Sequence, residues 1–175
     1  DRKDIGKLIQ TFCTTFKDNP SSTRPALILK TSSATFSVID EIEMVKRINS
    51  SIKAAKLKNP PNVYLLHGEL TQEEMNYLYH HPKVKAHVSF TKGEGFGRPL
   101  LEASISGKPV IASNWSGQVD FLKHSVKLPG NLQNVDKSAV WKDVILAESQ
   151  WFYVNHIYAS KVLKDVFKNY KKYLP

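Results

Sequence analysis

One cysteine in 175 residues, Cys13, is all the thiol chemistry the sequence offers. A single thiol excludes a disulfide framework and a cysteine-ligated metal site. Because Cys13 falls inside an amphipathic helical pattern, it reads as a core thiol of a reducing compartment. The sequence also lacks any run of about eighteen or more apolar residues, the length a membrane-crossing helix needs. Its first residues, Asp1-Arg2-Lys3-Asp4, are charged and have no signal-peptide pattern. A soluble, cytoplasmic protein is the expectation. Two glycosylation sequons occur, Asn49-Ser50-Ser51 and Asn114-Trp115-Ser116. The second lies in a loop assigned below to the active face, where a glycan would obstruct it, which favours the same compartment. No internal repeat, low-complexity tract or composition shift marks a second domain.

What the chain has is enough apolar material, 41% of its residues, to build one core at this length. It also carries a formal charge of +9. Such a balance implies an anionic partner: nucleic acid, an acidic membrane or a phosphorylated small molecule. Charge alone does not choose among them, and a solvated basic face is the ordinary reading of most of these lysines.

Along the chain, Ile5, Leu8, Ile9, Phe12 and Phe16 recur at helical spacing. In an alternating α/β domain a helix follows a strand, so a first strand is expected to be missing ahead of Asp1. Pro25 to Lys30 is a short apolar strand. A second helix is expected over about Ile39 to Ala55 with Ile42, Val45, Ile48 and Ile52 on its apolar face. Val63 to Leu66 is a second strand. Thr71-Gln72-Glu73-Glu74 has the form of a capping box and opens a helix to about Tyr79. Ala86 to Phe90 is a third strand, Pro99 to Ser106 a short helix and Val110 to Ala112 a fourth strand. Beyond Pro129 the pattern is irregular until Trp151 to Tyr173, which reads as one or two helices. Steady alternation of strand and helix predicts an α/β domain of three layers, a parallel sheet covered on both faces, occupying residues 1–175 with C-terminal helices over 151–175. Ligands of such sheets bind beyond the carboxyl ends of the strands.

One segment lies at such an end. Gly93-Glu94-Gly95-Phe96-Gly97-Arg98-Pro99 leaves a strand and enters a helix. Glycines permit close approach of backbone to ligand, and proline suits the first helical turn, where its missing amide hydrogen would be unpaired. Free amides of that turn and the helix dipole favour an anion, and a diphosphate would fit. Glu102 stands about one turn into this helix and leans back toward the loop, so it is expected to face the same pocket as Glu94. Carboxylates beside a phosphate site make sense if their targets are sugar hydroxyls, which they accept well. A plain glycine-rich turn, with Glu102 an ordinary acid near a helix start, explains the spacing equally. Other phosphate loops do not apply: Gly107-Lys108 is followed by Pro109, and the glycines at 93, 95 and 97 miss the last position of the dinucleotide fingerprint.

Gly93-Glu94-Gly95-Phe96-Gly97-Arg98-Pro99-Leu100-Leu101-Glu102-Ala103, with Ser106-Gly107-Lys108-Pro109-Val110-Ile111-Ala112 and Ser116-Gly117 after it, resembles the glutamate, seven residues, glutamate motif of family 4 retaining glycosyltransferases. The resemblance covers Val63 to Leu122. It implies a Rossmann-like domain forming the C-terminal, donor-binding half of a GT-B fold. It further implies that Glu94 contacts the donor sugar as the catalytic glutamate and that Glu102 holds the ribose. Gly95, Phe96, Gly97, Arg98, Leu100 and Leu101 would meet sugar and diphosphate. Lys3 would be the diphosphate-clamping lysine, with the family's arginine expected before residue 1. The nucleobase would rest on Gly68, Glu69 and Leu70. Asp120 departs from the family's usual glutamate, and its role is open. The implied partners are a GDP- or UDP-hexose and a separate N-terminal acceptor domain. No metal or other cofactor is expected, because lysine, arginine and helix amides neutralise the diphosphate.

Lys92 is a further donor-binding candidate on the phosphate side, against the plain reading of a solvated loop lysine. Lys30, His80 and His81 are weaker candidates, the histidines lacking partners at metal-ligand spacing. Trp115 suits either a sugar pocket or a buried anchor. Lys161, Lys164, Lys168, Lys171 and Lys172 form a basic helix face, solvated in the plain reading, with a membrane surface as the alternative. The rival functions are a noncatalytic nucleotide-sugar module and a same-fold epimerase or phosphorylase. A nucleic-acid binder is disfavoured, since the lysines are not interleaved with aromatics in any known module pattern.

Overall fold

The structure, a computed structural model, describes residues 1–32 and 35–174. They fall into two compact units, Gly6–Met75 and a second made of Asp1–Ile5 with Asn76–Pro175. Each alternates helices with parallel strands, the α/β arrangement expected from the sequence.

In the Gly6–Met75 unit, α1 (Ile5–Phe16) buries Leu8, Ile9, Phe12, Cys13 and Phe16, as its spacing predicts. β1 (Leu27–Lys30) and β2 (Val63–Leu66) pair in parallel, Leu27 opposite Val63 and Lys30 opposite Leu66. Arg24 fastens the loops that lead into them, donating to the carbonyls of Asn19 at 2.7 and 2.9 Å and of Asn59 at 2.9 Å. α2 (Val38–Ala54) is capped by Ser37, whose hydroxyl accepts from the Asp40 amide at 3.2 Å. Its buried stripe is Asp40, Met44 and Ile48, whereas Ile42 and Val45 are 48% and 41% exposed. The expected apolar face is therefore rotated. Asp40 is drawn inward because His67 meets its carboxylate at 2.9 Å, and helix rotation follows that polar pair. α3 (Gln72–His80), of which residues 72–75 belong to this unit and 76–80 to the other, opens on the expected capping box: the Thr71 hydroxyl accepts from the Glu74 amide at 3.2 Å, and the Glu74 carboxylate accepts from the Thr71 amide at 2.7 Å.

In the other unit, β3 (His87–Ser89), β4 (Val110–Ser113) and β5 (Val126–Leu128) form a parallel sheet in that order. β4 is its buried centre, every residue shielded from solvent. Continuous Val-Ile-Ala-Ser suits that position, since both faces of a parallel sheet are covered. α4 (Arg98–Ile105) packs on β3 and β4, and α5 (His156–Lys168) packs on β5. The C-terminal stretch differs from expectation. Gln150–Val154 is β7, antiparallel to β6 (Gly130–Asn134), and only afterwards does helix begin. Asn155 sets the boundary by accepting the Tyr158 amide at 3.0 Å. Gly130 permits the pairing, because a Cβ there would stand 2.1 Å from the Tyr153 carbonyl oxygen. On α5, Val162, Leu163 and Val166 are buried and Lys161, Lys164 and Lys168 exposed, as predicted, while Phe167 is 41% exposed. Among the described residues no helix is long and apolar enough to cross a membrane.

Candidate active site

The carboxyl ends of β3 and β4 carry the polar residues of the second unit. Beyond β3 run Phe90 and Thr91, both fully buried, then the loop from Lys92 to Gly97. Ser113 at the end of β4 donates to the Thr91 carbonyl at 2.6 Å, and Gln118 donates to the Ser113 hydroxyl at 3.1 Å and its carbonyl at 3.2 Å. A buried polar chain thus fixes the strand ends from which the loop departs.

The loop is held from its far side by Ser116 and Gly117. The Ser116 hydroxyl accepts from the Glu94 amide at 3.1 Å and donates to the Glu94 carbonyl at 2.5 Å, and the Gly117 amide donates to that carbonyl at 3.2 Å. Ser116 takes φ +72°, a conformation costly for a residue with a Cβ. A Cβ on Gly117 would stand 1.9 Å from the Gly95 carbonyl oxygen, so only glycine allows this approach.

Glu94 is the focus of these contacts. Its side chain is only 10% exposed. Oε1 accepts from the Thr91 hydroxyl at 2.7 Å and from the Lys3 ammonium, while Arg2 meets Oε2 at 2.9 Å and also donates to the Gly93 carbonyl. Burial alone would raise the Glu94 pKa, but the Lys3, Thr91 and Arg2 hydrogen bonds together outweigh it and hold the carboxyl below its ordinary value. Glu94 is a carboxylate at neutral pH.

Glu102 has a different setting. Arg98, one turn before it on α4, donates to Oε1 at 2.6 Å, and the Tyr79 hydroxyl reaches Oε2 at 3.5 Å. Burial, then the Glu102 charge and the hydrogen bond to it, raise the Tyr79 pKa to about 12. The Tyr79 ring also lies 6.0 Å from that of His87, whose pKa burial and the Lys3 charge lower to about 4. Glu94 and Glu102 share no hydrogen-bonding partner among the described residues.

The remaining candidates divide similarly. Gly97 is the N-cap of α4 at φ +87°, and its carbonyl accepts from the amides of Leu100 at 2.9 Å and Leu101 at 3.2 Å. Those two amides, expected to face a ligand, are thus engaged within the turn. Gly95 and Phe96 are exposed, the Phe96 ring resting 5.0 Å from that of Phe121. Lys92, a candidate for phosphate contact, is buried instead. Its ammonium lies 3.5 Å from Asp4 and over the rings of Tyr153, at 4.5 Å, and Trp151, at 5.1 Å. Trp115 stacks on Phe152, centroids 5.9 Å apart. Gly68, Glu69 and Leu70 belong to the Gly6–Met75 unit, where the Gly68 carbonyl accepts from Lys30 at 2.6 Å. Sequence reasoning missed Arg2, Thr91 and Ser116. Thr91 and Ser116 flank the motif and its following loop, but nothing local points from Arg2 to a residue 91 positions away.

Residues 19–146 match the family model for glycosyl transferases group 1. The chain belongs to that family. For this group 1 glycosyl transferase chain, the matched stretch contains Thr91, Glu94, Glu102 and Ser116 and leaves Arg2, Lys3 and β7 outside. No curated protein sequence matches it. Among solved structures it is similar to the N-terminal domain of Candida albicans trehalose-6-phosphate phosphatase, at 14% identity and TM-score 0.61, over 95% of this chain and 32% of that one. It is also similar to Anabaena HepE in complex with UDP and glucose, at 21% identity and TM-score 0.47, over 71% of this chain and 30% of that one. The chain therefore spans about a third of the length of these structures. At such identities the first likeness concerns the fold alone: a Rossmann-like α/β arrangement.

Proposed function

We propose that this chain is the donor-binding, C-terminal half of a retaining family 4 glycosyltransferase that takes a hexose from a GDP- or UDP-sugar. The observation that carries the reading is Glu94, ionised and nine-tenths buried beyond β3 with two cationic side chains on it. A diphosphate is a stronger partner for Arg2 and Lys3 than one carboxylate, because it offers more charge and more acceptor oxygens. On donor binding these cations move to the diphosphate, and Glu94, still held by Thr91, turns its freed lone pairs to hydroxyls of the sugar. Arg2 takes the role for which an arginine was expected before residue 1. Glu102 accepts from the ribose hydroxyls in exchange for the Arg98 contact. Gly95 to Arg98 lie along the sugar and diphosphate.

Neutralising the leaving diphosphate with side-chain cations is the electrostatic contribution, and no metal is needed for it. Transfer also requires positioning of an acceptor and exclusion of water, which the N-terminal acceptor domain of such enzymes would supply. The 175-residue chain is accordingly expected to bind donor without transferring sugar. Calorimetry against UDP, GDP, ADP and their sugars tests the reading. Binding of one nucleotide series with a modest salt dependence supports it. Tight DNA binding with a steep salt slope and no nucleotide binding would reject it.

A further inference from the structure

The charged residues around Glu94 do not end with its own partners. Asp4 follows Arg2 and Lys3 directly, is buried, and holds φ +52°, so the start of the chain turns sharply there. Its carboxylate faces the Lys92 ammonium at 3.5 Å. The Lys92 amide donates to the Arg2 carbonyl at 2.9 Å, and the Lys92 carbonyl accepts from the Phe152 amide at 3.1 Å. Trp151 and Tyr153, two apart on β7, lie on one face of that strand and present both rings to the ammonium.

We propose that Lys92 is a positioning residue that docks Arg2 and Lys3 onto Glu94, bracing them through Asp4 against the aromatic face of β7. The inference rests on the donor reading above only for its consequence in binding; the bracing itself is read from the contacts. A buried ammonium needs compensation, and one carboxylate with two ring faces gives it without any acceptor from the ligand side. Lys92 therefore does not compete for phosphate. Its two backbone bonds tie the segment at Arg2 and β7 to the same residue, immediately before the loop. Arg2 and Lys3 are each more than two-fifths exposed at the side chain, so their own packing does not fix them. Their placement on Glu94 is inherited from Asp4 and Lys92.

The test follows the Glu94 carboxyl by NMR titration of the 175-residue chain, beside calorimetry with UDP, GDP and ADP. Removing Lys92 alone would strand Asp4 in the interior, so the informative variant is the pair Asp4→Asn with Lys92→Met, which removes both charges. Tyr153→Leu, which keeps both charges and removes one ring, is the second variant. In each folded variant the Glu94 carboxyl should titrate closer to its ordinary value than in wild type, and affinity for the nucleotide that wild type binds should fall roughly tenfold. Lys92→Arg, which preserves the cation, should restore both. A folded double variant with unchanged Glu94 titration would overturn the proposal, because a merely structural Lys92 would lower the melting temperature and leave that carboxyl alone. If wild type binds no nucleotide, the donor reading fails, and the carboxyl titration still decides the role of Lys92.

Discussion

The two glutamates of one sequence motif occupy unlike places. Glu94 stands on a loop held by groups remote in sequence: Arg2 and Lys3 from the chain start, and Ser116 and Gly117 from the loop after β4. Glu102 stands on a helix and depends on a near neighbour, Arg98, with Tyr79 at the limit of hydrogen-bond distance. Motif spacing gives the two residues equal weight, yet contacts distant in sequence dominate around the first and a contact one helical turn away dominates around the second. Substitutions around Glu94 should therefore carry larger and less local effects than those around Glu102.

The largest effect is expected from Gly117→Ala. With 1.9 Å between the new Cβ and the Gly95 carbonyl oxygen, the loop must shift, at a cost of about 2–4 kcal/mol by denaturant unfolding. The Glu94 amide bond to Ser116 should be lost with it. A loss below about 0.5 kcal/mol would mean that the loop is not held as described.

His87 lies between the two ends, beside the Tyr79 ring and within reach of the Lys3 charge. Its folded pKa of about 4 is below the ordinary 6.5, so the unfolded chain binds the extra proton first as pH falls. Stability is full above about 6.5 and declines toward pH 4, by on the order of 2–3 kcal/mol from this group. His87→Gln should flatten the decline in that window. Glu94 adds a loss at lower pH, since its folded pKa is also depressed: the stability it contributes is present above 4.5 and disappears as pH falls through the folded value. Glu94→Gln should remove that acid limb and cost about 1–2 kcal/mol at pH 7 through lost charge-assisted hydrogen bonds. The smallest effect belongs to the other glutamate. Arg98→Ala breaks an exposed contact one turn long and should change stability by no more than about 0.5 kcal/mol in thermal or denaturant unfolding.

Local patterns made much of the fold legible. The spacing of Leu8, Ile9 and Phe12, the Thr71 capping box and the apolar run at Val110 each specify one element. β7 was hidden because Trp151-Phe152-Tyr153-Val154 runs straight into an apolar helix pattern, and the boundary lies in a single residue, the Asn155 cap. Its partner β6, Gly130-Asn131-Leu132-Gln133-Asn134, is mostly polar and exposed, so it has no hydrophobic alternation to read. The face of α2 is obscured for the opposite reason: its exposed isoleucine and valine suggest a stripe, while a polar pair with His67 sets the rotation. At the site, the glutamates and glycines of the motif were visible as a pattern. The cations on Glu94 were not, because the bond from Arg2 to the loop is a property of tertiary folding alone.

In the proposed function, Glu94 exchanges its bonds to Arg2 and Lys3 for donor-sugar hydroxyls while those cations take the diphosphate. Calorimetric titration of wild type and Glu94→Ala with a nucleoside diphosphate and with the matching nucleotide sugar tests it most directly. Glu94→Ala is expected to bind the bare diphosphate as well as wild type or better, its cations being free, and to lose affinity for the nucleotide sugar by roughly tenfold or more. An equal loss for both ligands would contradict it.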